Sequence, residues 1–400
     1  MTALEELVRG VDVADPYPLW QQLLDHGPVV APDGSFALLT QHAHCDAVLR
    51  SPLVSSDRTN STEWQQIAAQ LPPEEVARQN RQRSFLFLDP PDHTRLRRLV
   101  SKAFTPRTVN ELAPVVEQLT DDLLAAAGAR GGLEVVGDLA YPLPVTVISR
   151  MLGVPEEDHS RFSAWSDVLA KSLDDGVSVE DTPEQRARRQ AADEFRAYFT
   201  ELCAQRRADP QDDLLSALVQ IEHEGDRLST DELLSTAQLL LVAGHETTVN
   251  LIANGALALL RDDALRAQVA ADETCAAGFV EEVLRLDPPV QMTGRTAREA
   301  LDVPGGTVRP GGRVLLLIAA AGRDPGQHPD PLRLDPTRTS PHLAFGIGPH
   351  YCLGAPLARL EGRIALQALA RRLEGARLGE LRYKPNRILR GPARLEVLPA

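Results

Sequence analysis

The sequence predicts a mostly helical protein with a minor sheet component. Three observations carry that prediction. From about residue 42 to 285 the apolar residues recur with the helical period, and the stretch from Thr230 to Arg261 is the longest uninterrupted case. Beyond the Pro288, Pro289 pair, short strand-like runs alternate with glycine and proline turns.

Taken in order, an initial helical stretch is followed by PVVAPDGSFALLT (28–40), which reads as strand, turn and strand, with Pro32, Asp33 and Gly34 making the turn. The Thr230–Arg261 segment has Ser229 and Glu232 at capping-box spacing and no internal proline. At about 1.5 Å per residue it crosses an entire domain, so it is expected to run through the middle of the fold. A shorter helix ends at Pro288, and short strands surround VPGGTVRPGG. Residues 324–341 are irregular and proline-studded, leading into LAFGIGPHYCLGAPLAR (343–359). After the cysteine of that loop, Pro356 suits a first helical turn, and Leu353, Leu357, Leu360 and Ile364 have the spacing of one buried face. There are no repeats, low-complexity tracts or linkers, so one domain over residues 1–400 is expected.

Composition excludes several functions. Lys and Arg number 42 against 56 Asp and Glu, a net charge of −14, which argues against nucleic acid or an anionic membrane as the main partner. The first twenty residues lack a basic start followed by an apolar core, and the longest apolar run, VLLLIAAA (314–321), is too short to span a bilayer. The four cysteines, Cys45, Cys203, Cys275 and Cys352, never approach CxxC spacing, so neither a disulfide framework nor a structural zinc site is expected. The chain reads as soluble and cytoplasmic.

Four groups of residues carry chemistry. Cys352 sits among Gly346, Gly348 and Gly354, with His350 two residues ahead. It is either a small buried hydrophobe beside a turn or a thiolate stabilised by backbone N–H groups and the positive end of the following helix. In LLLVAGHETTVN (239–250), Gly244 costs about 1 kcal/mol relative to alanine, and Thr247 and Thr248 are poor helix formers. That segment is a bent, solvated helix or a site at the centre of the longest helix. A metalloprotease HExxH is excluded, because Val249 stands where the second histidine is needed. In HTRLRR, His93 and Arg97 share one helical face. Glu282 and Arg285 form ExxR at i, i+3, a spacing usual for a surface salt bridge.

FGIGPHYCLGAPLAR resembles the haem-binding loop of the cytochrome P450 family, whose pattern is Phe-Gly-x-Gly, then His or Arg two before the cysteine, then Cys-x-Gly. The resemblance extends in order from HTRLRR through Ala243, Gly244, Glu246 and Thr247 to Cys352, and implies the triangular, mostly helical P450 fold with small sheets around a buried haem. It implies that Cys352 is the thiolate ligand of a b-type haem iron, with Phe345, Gly346 and Gly354 in the cofactor loop. His93, Arg97, Arg295 and His350 match the family's propionate contacts, and two propionates in a buried site do need cations. Ala243 and Gly244 would leave a groove for dioxygen, while Glu246 and Thr247 would relay protons to it. Glu282 and Arg285 would join Arg338 of DPTR in a structural network, although Thr339 replaces the aromatic often found next.

By the same resemblance, Leu240, Val242, Ala243, Val290, Met292, Thr293, Ile388 and Leu389 lie near the substrate. Lids come from about 57–88 and from helices around 160–205, both polar and unremarkable here. With aromatic residues only 4% of the chain, an aliphatic-lined pocket is expected. The likeness to bacterial members implies a ferredoxin, fed by an NAD(P)H-dependent reductase, docking near Arg95, Arg98, Lys102, Arg359 and Arg363, which are equally readable as solvated arginines. No GxGxxG fingerprint follows a strand in the chain itself.

The function implied is a haem-thiolate monooxygenase that hydroxylates or epoxidises a hydrophobic small molecule, such as a macrolide or other secondary metabolite. A peroxygenase or oxidative-coupling enzyme is the alternative, disfavoured by the Glu246, Thr247 pair. A non-enzymatic haem sensor needs no such relay.

Overall fold

A computed structural model describes residues 7, 11–81, 83–170, 182–223 and 225–399. The architecture is mostly helical with small sheets, and the chain forms two compact units, one of residues 1–54, 112–144 and 247–400, the other of residues 55–111 and 145–246.

In the first unit the expected strand–turn–strand is present: Val29 pairs with Leu38 antiparallel, and Ser35 donates from both its N–H and hydroxyl to Asp33 across the turn. The strand Phe36–Leu39 then runs parallel to Arg313–Leu316, which pairs antiparallel with Thr293–Ala297, Val314 opposite Arg295. This sheet fixes the register of Thr293 and Arg295. The apolar run 314–321 is a strand ending at Leu316, with Val314 and Leu316 buried and Leu315 half-buried, followed by a fully buried turn of helix, Ile318–Ala321.

The helix Thr230–Arg261 has the predicted ends. Ser229 and Glu232 exchange reciprocal capping bonds of 2.8 and 3.3 Å. Its second half, from Thr247 on, packs in the first unit against the helix that follows the cysteine, Ala355–Arg372. The approach is close: a Cβ on Gly255 would stand 2.7 Å from the Leu366 side chain, so only glycine fits without displacement. Glu361, on the same helix, is fully buried beside Thr248, and burial pushes its carboxyl up to about 8, with the Thr248 hydroxyl bond opposing. The predicted face of that helix needs correcting, because it starts at Ala355. Leu357 and Ile364 are buried, Leu353 and Leu360 only half-buried, and Glu361, Ala365 and Leu369 complete the inner face.

The helix Glu273–Leu286 carries the ExxR pair into the core. Arg285 (1% exposed) donates Nε and Nη2 to the Glu282 carboxylate at 2.7 and 2.9 Å. Its remaining N–H groups reach the carbonyls of Gly322 and Pro331, both at 2.6 Å, and Arg333 at 2.9 Å. Arg338 Nε and the Asp335 N–H also reach Glu282, at 3.1 and 2.8 Å. One carboxylate thus organises the proline-studded segment 322–338, which has no regular structure of its own.

In that segment His328 is fully buried, with Nδ1 2.7 Å from the Ser340 hydroxyl and its ring edge-on to His42. Burial first, then the positive charge of Arg285 and contributions from His42 and Arg338, opposed by Glu282, lower its pKa to about 4. The unfolded chain, with a histidine near its ordinary value of about 6.5, binds that proton first, so stability falls as pH drops from about 6.5 towards 4. Between pH 7 and pH 5 the protein should lose about 2 kcal/mol more than a His328→Asn variant, read from urea midpoints at the two values. Equal losses in both proteins would remove His328 as the cause.

In the second unit the helices His159–Ala170 and Pro183–Ala208 meet through Phe162, Trp165, Phe195, Tyr198 and Phe199, with Phe195 and Phe199 stacked at 4.4 Å. Arg161 lies 4.6 Å over Trp165. The expectation that 160–205 is polar and unremarkable is corrected: five of the chain's 17 aromatic residues are gathered in this one layer. Their helical spacing was visible in RFSAW and EFRAYF but is diluted by the charged residues between.

Candidate active site

Cys352 stands between the tight turn Gly348–His350 and the helix Ala355–Arg372. Its N–H donates to the Phe345 carbonyl at 2.9 Å, closing the loop. Gly348 has φ +73°, and a Cβ there would lie 3.0 Å from the Leu49 carbonyl oxygen, so the turn excludes any side chain. Pro356 occupies the first turn of the helix, whose positive end adjoins the loop.

Among the four thiols, Cys45 and Cys203 are fully buried, and burial pushes them up to about 12 and 11. Burial raises Cys275 as well. Cys352 is half-buried and stands in a fixed loop at a helix start, where a thiolate is best accommodated.

Arg359, one turn into the helix, clamps this loop. Its guanidinium lies 4.6 Å over the Phe345 ring and donates to the Tyr351 hydroxyl at 3.0 Å. It also bonds both Glu281 oxygens at 2.8 Å, and His342 reaches the same carboxylate at 3.2 Å. Burial opposes ionisation of Glu281, yet bonds from Arg359 and His342 bring it down to about 2.

Arg359, expected in a docking patch, has a side chain still more than a third exposed, but its guanidinium is held by a bidentate bond to Glu281. Arg363 pairs with Glu273 at 2.6 Å, and Arg95 is bonded to Asp226 and Glu232. Of the five cations, Arg98 and Lys102 are the exposed ones.

Two of the sequence-predicted substrate segments do come together. Val290 pairs with Leu389, and the Gln291 N–H donates to the Ile388 carbonyl at 2.8 Å. Gln291 itself was missed: it is buried, accepts from Trp20 Nε1 at 2.9 Å and donates to the Pro288 carbonyl at 2.7 Å, which sets the path of the segment. A lone amide in an otherwise apolar run was the available signal. Val290, Thr293 and Ile388 are half-buried. Met292 (8% exposed) packs with Trp20, Leu23, Leu38 and Leu317, and Leu389 is buried, so these two belong to the core rather than to an open pocket wall. Arg295 is half-buried, its Nη1 2.8 Å from the Gly294 carbonyl, and His350 is half-buried at the end of its turn.

On the long helix, Leu240, Ala243, Gly244 and Thr247 form an i, i+3, i+4, i+7 stripe left partly open, while Leu241, His245, Thr248 and Val249 behind them are fully buried. A Cβ at residue 244 would meet no atom within 4 Å outside its own helix, so the glycine adds free space to that stripe. Val242 is buried off the stripe. Glu246 is partly buried beside Thr247.

On the helix Asp92–Ala103, His93 is buried and Arg97 half-buried. Burial, and then the charge of Arg97, hold the His93 pKa below its ordinary value.

These residues suit a haem. A half-buried thiol in a fixed loop, a partly open helix stripe with a glycine at its centre, and partly buried cations are each features that an iron porphyrin dicarboxylate requires.

The cytochrome P450 family model matches residues 62–273 and 275–395. The chain belongs to the cytochrome P450 family. It is 43% identical to the cytochrome P450 monooxygenase PikC of Streptomyces venezuelae, over 96% of this chain and 91% of that one. It is 42% identical to the 6-deoxyerythronolide B hydroxylase of Saccharopolyspora erythraea, over 77% and 76%. The ligand-free crystal structure of Mycobacterium smegmatis CYP164A2 superposes with a TM-score of 0.88 at 46% identity, covering 99% of each chain.

This P450 is therefore an oxidoreductase of the monooxygenase class, using haem, dioxygen and electrons from external donors on a hydrophobic substrate. Among the described residues no helix is long and apolar enough to cross a membrane.

Proposed function

We propose that this P450 hydroxylates or epoxidises a macrolide or related polyketide, taking electrons from NAD(P)H through a ferredoxin in the cytoplasm. The observation that carries the reaction is the half-buried Cys352 in its rigid loop; what supports the substrate class is the likeness to a 6-deoxyerythronolide B hydroxylase. For hydroxylation the balance is one C–H bond, O2, two electrons and two protons giving one C–OH and one water.

Haem b, when bound, supplies the oxygen-activating redox chemistry. Cys352 would be its thiolate ligand, and Phe345, Gly346 and Gly354 belong to the loop that would hold it. His93, Arg97, Arg295 and His350 would hold its propionates, and Ala243 and Gly244 would leave room for dioxygen. Leu240, Val290, Thr293 and Ile388 present apolar surface to substrate. Glu246 and Thr247 carry the two protons, the carboxyl passing each to the alcohol, which aims it. The ferredoxin docks at the exposed Arg98 and Lys102. On a chain of net charge −14, an acidic partner needs such a local cationic helix.

Two measurements test this. Thr247→Ala should lower product per NAD(P)H about tenfold, with electrons diverted to peroxide or water and haem content unchanged. An unchanged ratio would remove Thr247 from the chemistry. In spin-state titrations, 6-deoxyerythronolide B should shift the haem to high spin, whereas a shift produced only by a linear fatty acid would overturn the substrate class.

A further inference from the structure

His245 lies within the acid–alcohol motif, yet nothing so far gives it a role. It is 0% exposed in the middle of a helix, where an imidazole is costly unless bonded and a leucine would fill the space more cheaply. Its Nδ1 is 3.0 Å from the Leu241 carbonyl, one turn back. The ring carries its proton on either nitrogen, on Nδ1 towards that carbonyl or on Nε2 towards other groups. Two are present. The hydroxyl of Ser166, also 0% exposed, lies 2.9 Å from Nδ1 and 3.2 Å from Nε2. The Glu246 carboxylate oxygen Oε2 lies 3.7 Å from Nε2. Successive helix residues normally diverge around the axis, so a carboxylate that turns back over its predecessor's ring is a specific arrangement. With the N–H on Nε2 and the Ser166 hydroxyl donating to Nδ1, a movement of under about 1 Å closes that gap to a hydrogen bond.

We propose that Ser166 and His245 form a positioning pair that sets the orientation of the Glu246 carboxylate. The inference rests on the reading of Glu246 and Thr247 as the proton relay and adds what holds the acid in place. Ser166 is a rigid anchor, because its helix, His159–Ala170, is locked to Pro183–Ala208 by the layer of Phe162, Trp165, Phe195 and Phe199. The pair therefore makes the acid's aim depend on the seating of that helix. An acid that loses its support rotates, protons arrive late, and electrons leave as peroxide or water instead of appearing in product. His245 and Ser166 touch neither substrate nor oxygen; they act through Glu246.

The test uses the haem-loaded enzyme with a surrogate ferredoxin and reductase, and 6-deoxyerythronolide B or whichever titrated compound gives the largest spin shift. His245→Ala should lower product per NAD(P)H about tenfold, and Ser166→Ala by about threefold, with the ferrous-CO spectrum unchanged. The double variant should be no worse than His245→Ala, and His245→Gln, which keeps a donor, should recover at least about half of the ratio. A His245→Ala protein that melts lower but keeps its ratio would make His245 a core residue and overturn the proposal. So would effects of the two single changes that simply multiply. Glu246→Gln separates the two readings: if it leaves the ratio unchanged, the relay itself fails, whereas if it lowers the ratio and His245→Ala does not, only the positioning pair fails.

Discussion

Serine at position 352 is expected to remove monooxygenase activity and the long-wavelength ferrous-CO band of thiolate-ligated haem together. Disturbing even the hydrogen-bond partners of a metal ligand costs about 10- to 100-fold, so replacing the ligand should cost more than a hundredfold. The loop itself should survive. Its geometry rests on the Cys352 N–H to the Phe345 carbonyl, the positive φ of Gly348 and the Arg359 clamp from Phe345 to Glu281, none of which uses the sulfur. A folded Cys352→Ser protein of near-native melting temperature, with weak haem retention, is therefore the expected product. Retention of the thiolate-type band in that variant would sink the assignment, and attention would turn to Cys275, the other half-buried thiol. Cys352→His is the companion measurement. It should give a spectrum of nitrogen ligation if the loop holds iron at this position.

The parts of this fold that were legible in the sequence are those where local chemistry and tertiary need coincide. The bounds of Thr230–Arg261 followed from Ser229 and Glu232 because a capping box is closed by four residues of the same chain. The turn at Asp33–Ser35 was readable for the same reason. What was not legible depends on partners far away in the chain. Arg359 looked like a solvated cation because Glu281, 78 residues upstream, is its partner. Met292 looked like a pocket residue because Trp20 and Leu317, which enclose it, come from both ends of the sequence. Leu353 was assigned to a helix face before the helix begins, since the glycine at 354 delays the first turn to Ala355. Glu361 was passed over because an isolated glutamate on an exposed-looking pattern gives no sign that Thr248 of another helix will cover it. In the candidate site, the open stripe of Leu240, Ala243, Gly244 and Thr247 was half visible as a polar interruption in an apolar helix. The side to which Val242 and His245 turn became evident only with the neighbouring helices in place.

The largest stability effect is expected where one carboxylate serves most donors. Glu282→Ala leaves Arg285, 1% exposed, and Arg338 without a counter-ion, although Arg285 keeps its three carbonyl acceptors. Arg285→Ala does the opposite. Glu282 keeps Arg338 and the Asp335 N–H, but the carbonyls of Gly322, Pro331 and Arg333 lose a common donor and a large side chain's volume is vacated. Breaking a buried ion pair from one side typically costs about 3–5 kcal/mol, and each single variant should lose that much in urea unfolding. Burial raises the Glu282 carboxyl, but the bonds from Arg285 and the Asp335 N–H outweigh it and hold the group below its usual range, so the acid is charged at pH 7 and its partners cannot be neutralised cheaply. Joint replacement by apolar residues, Glu282→Leu with Arg285→Met, should cost less than the sum of the single changes, because it removes both charges together. Additive losses would show that the two side chains act separately. Because the network binds segment 322–338, and that segment leads directly into the loop of Cys352, haem content should fall with stability in the single variants and recover in the joint one. A single variant that kept full haem content while losing about 3 kcal/mol would break the link between the network and the cysteine loop.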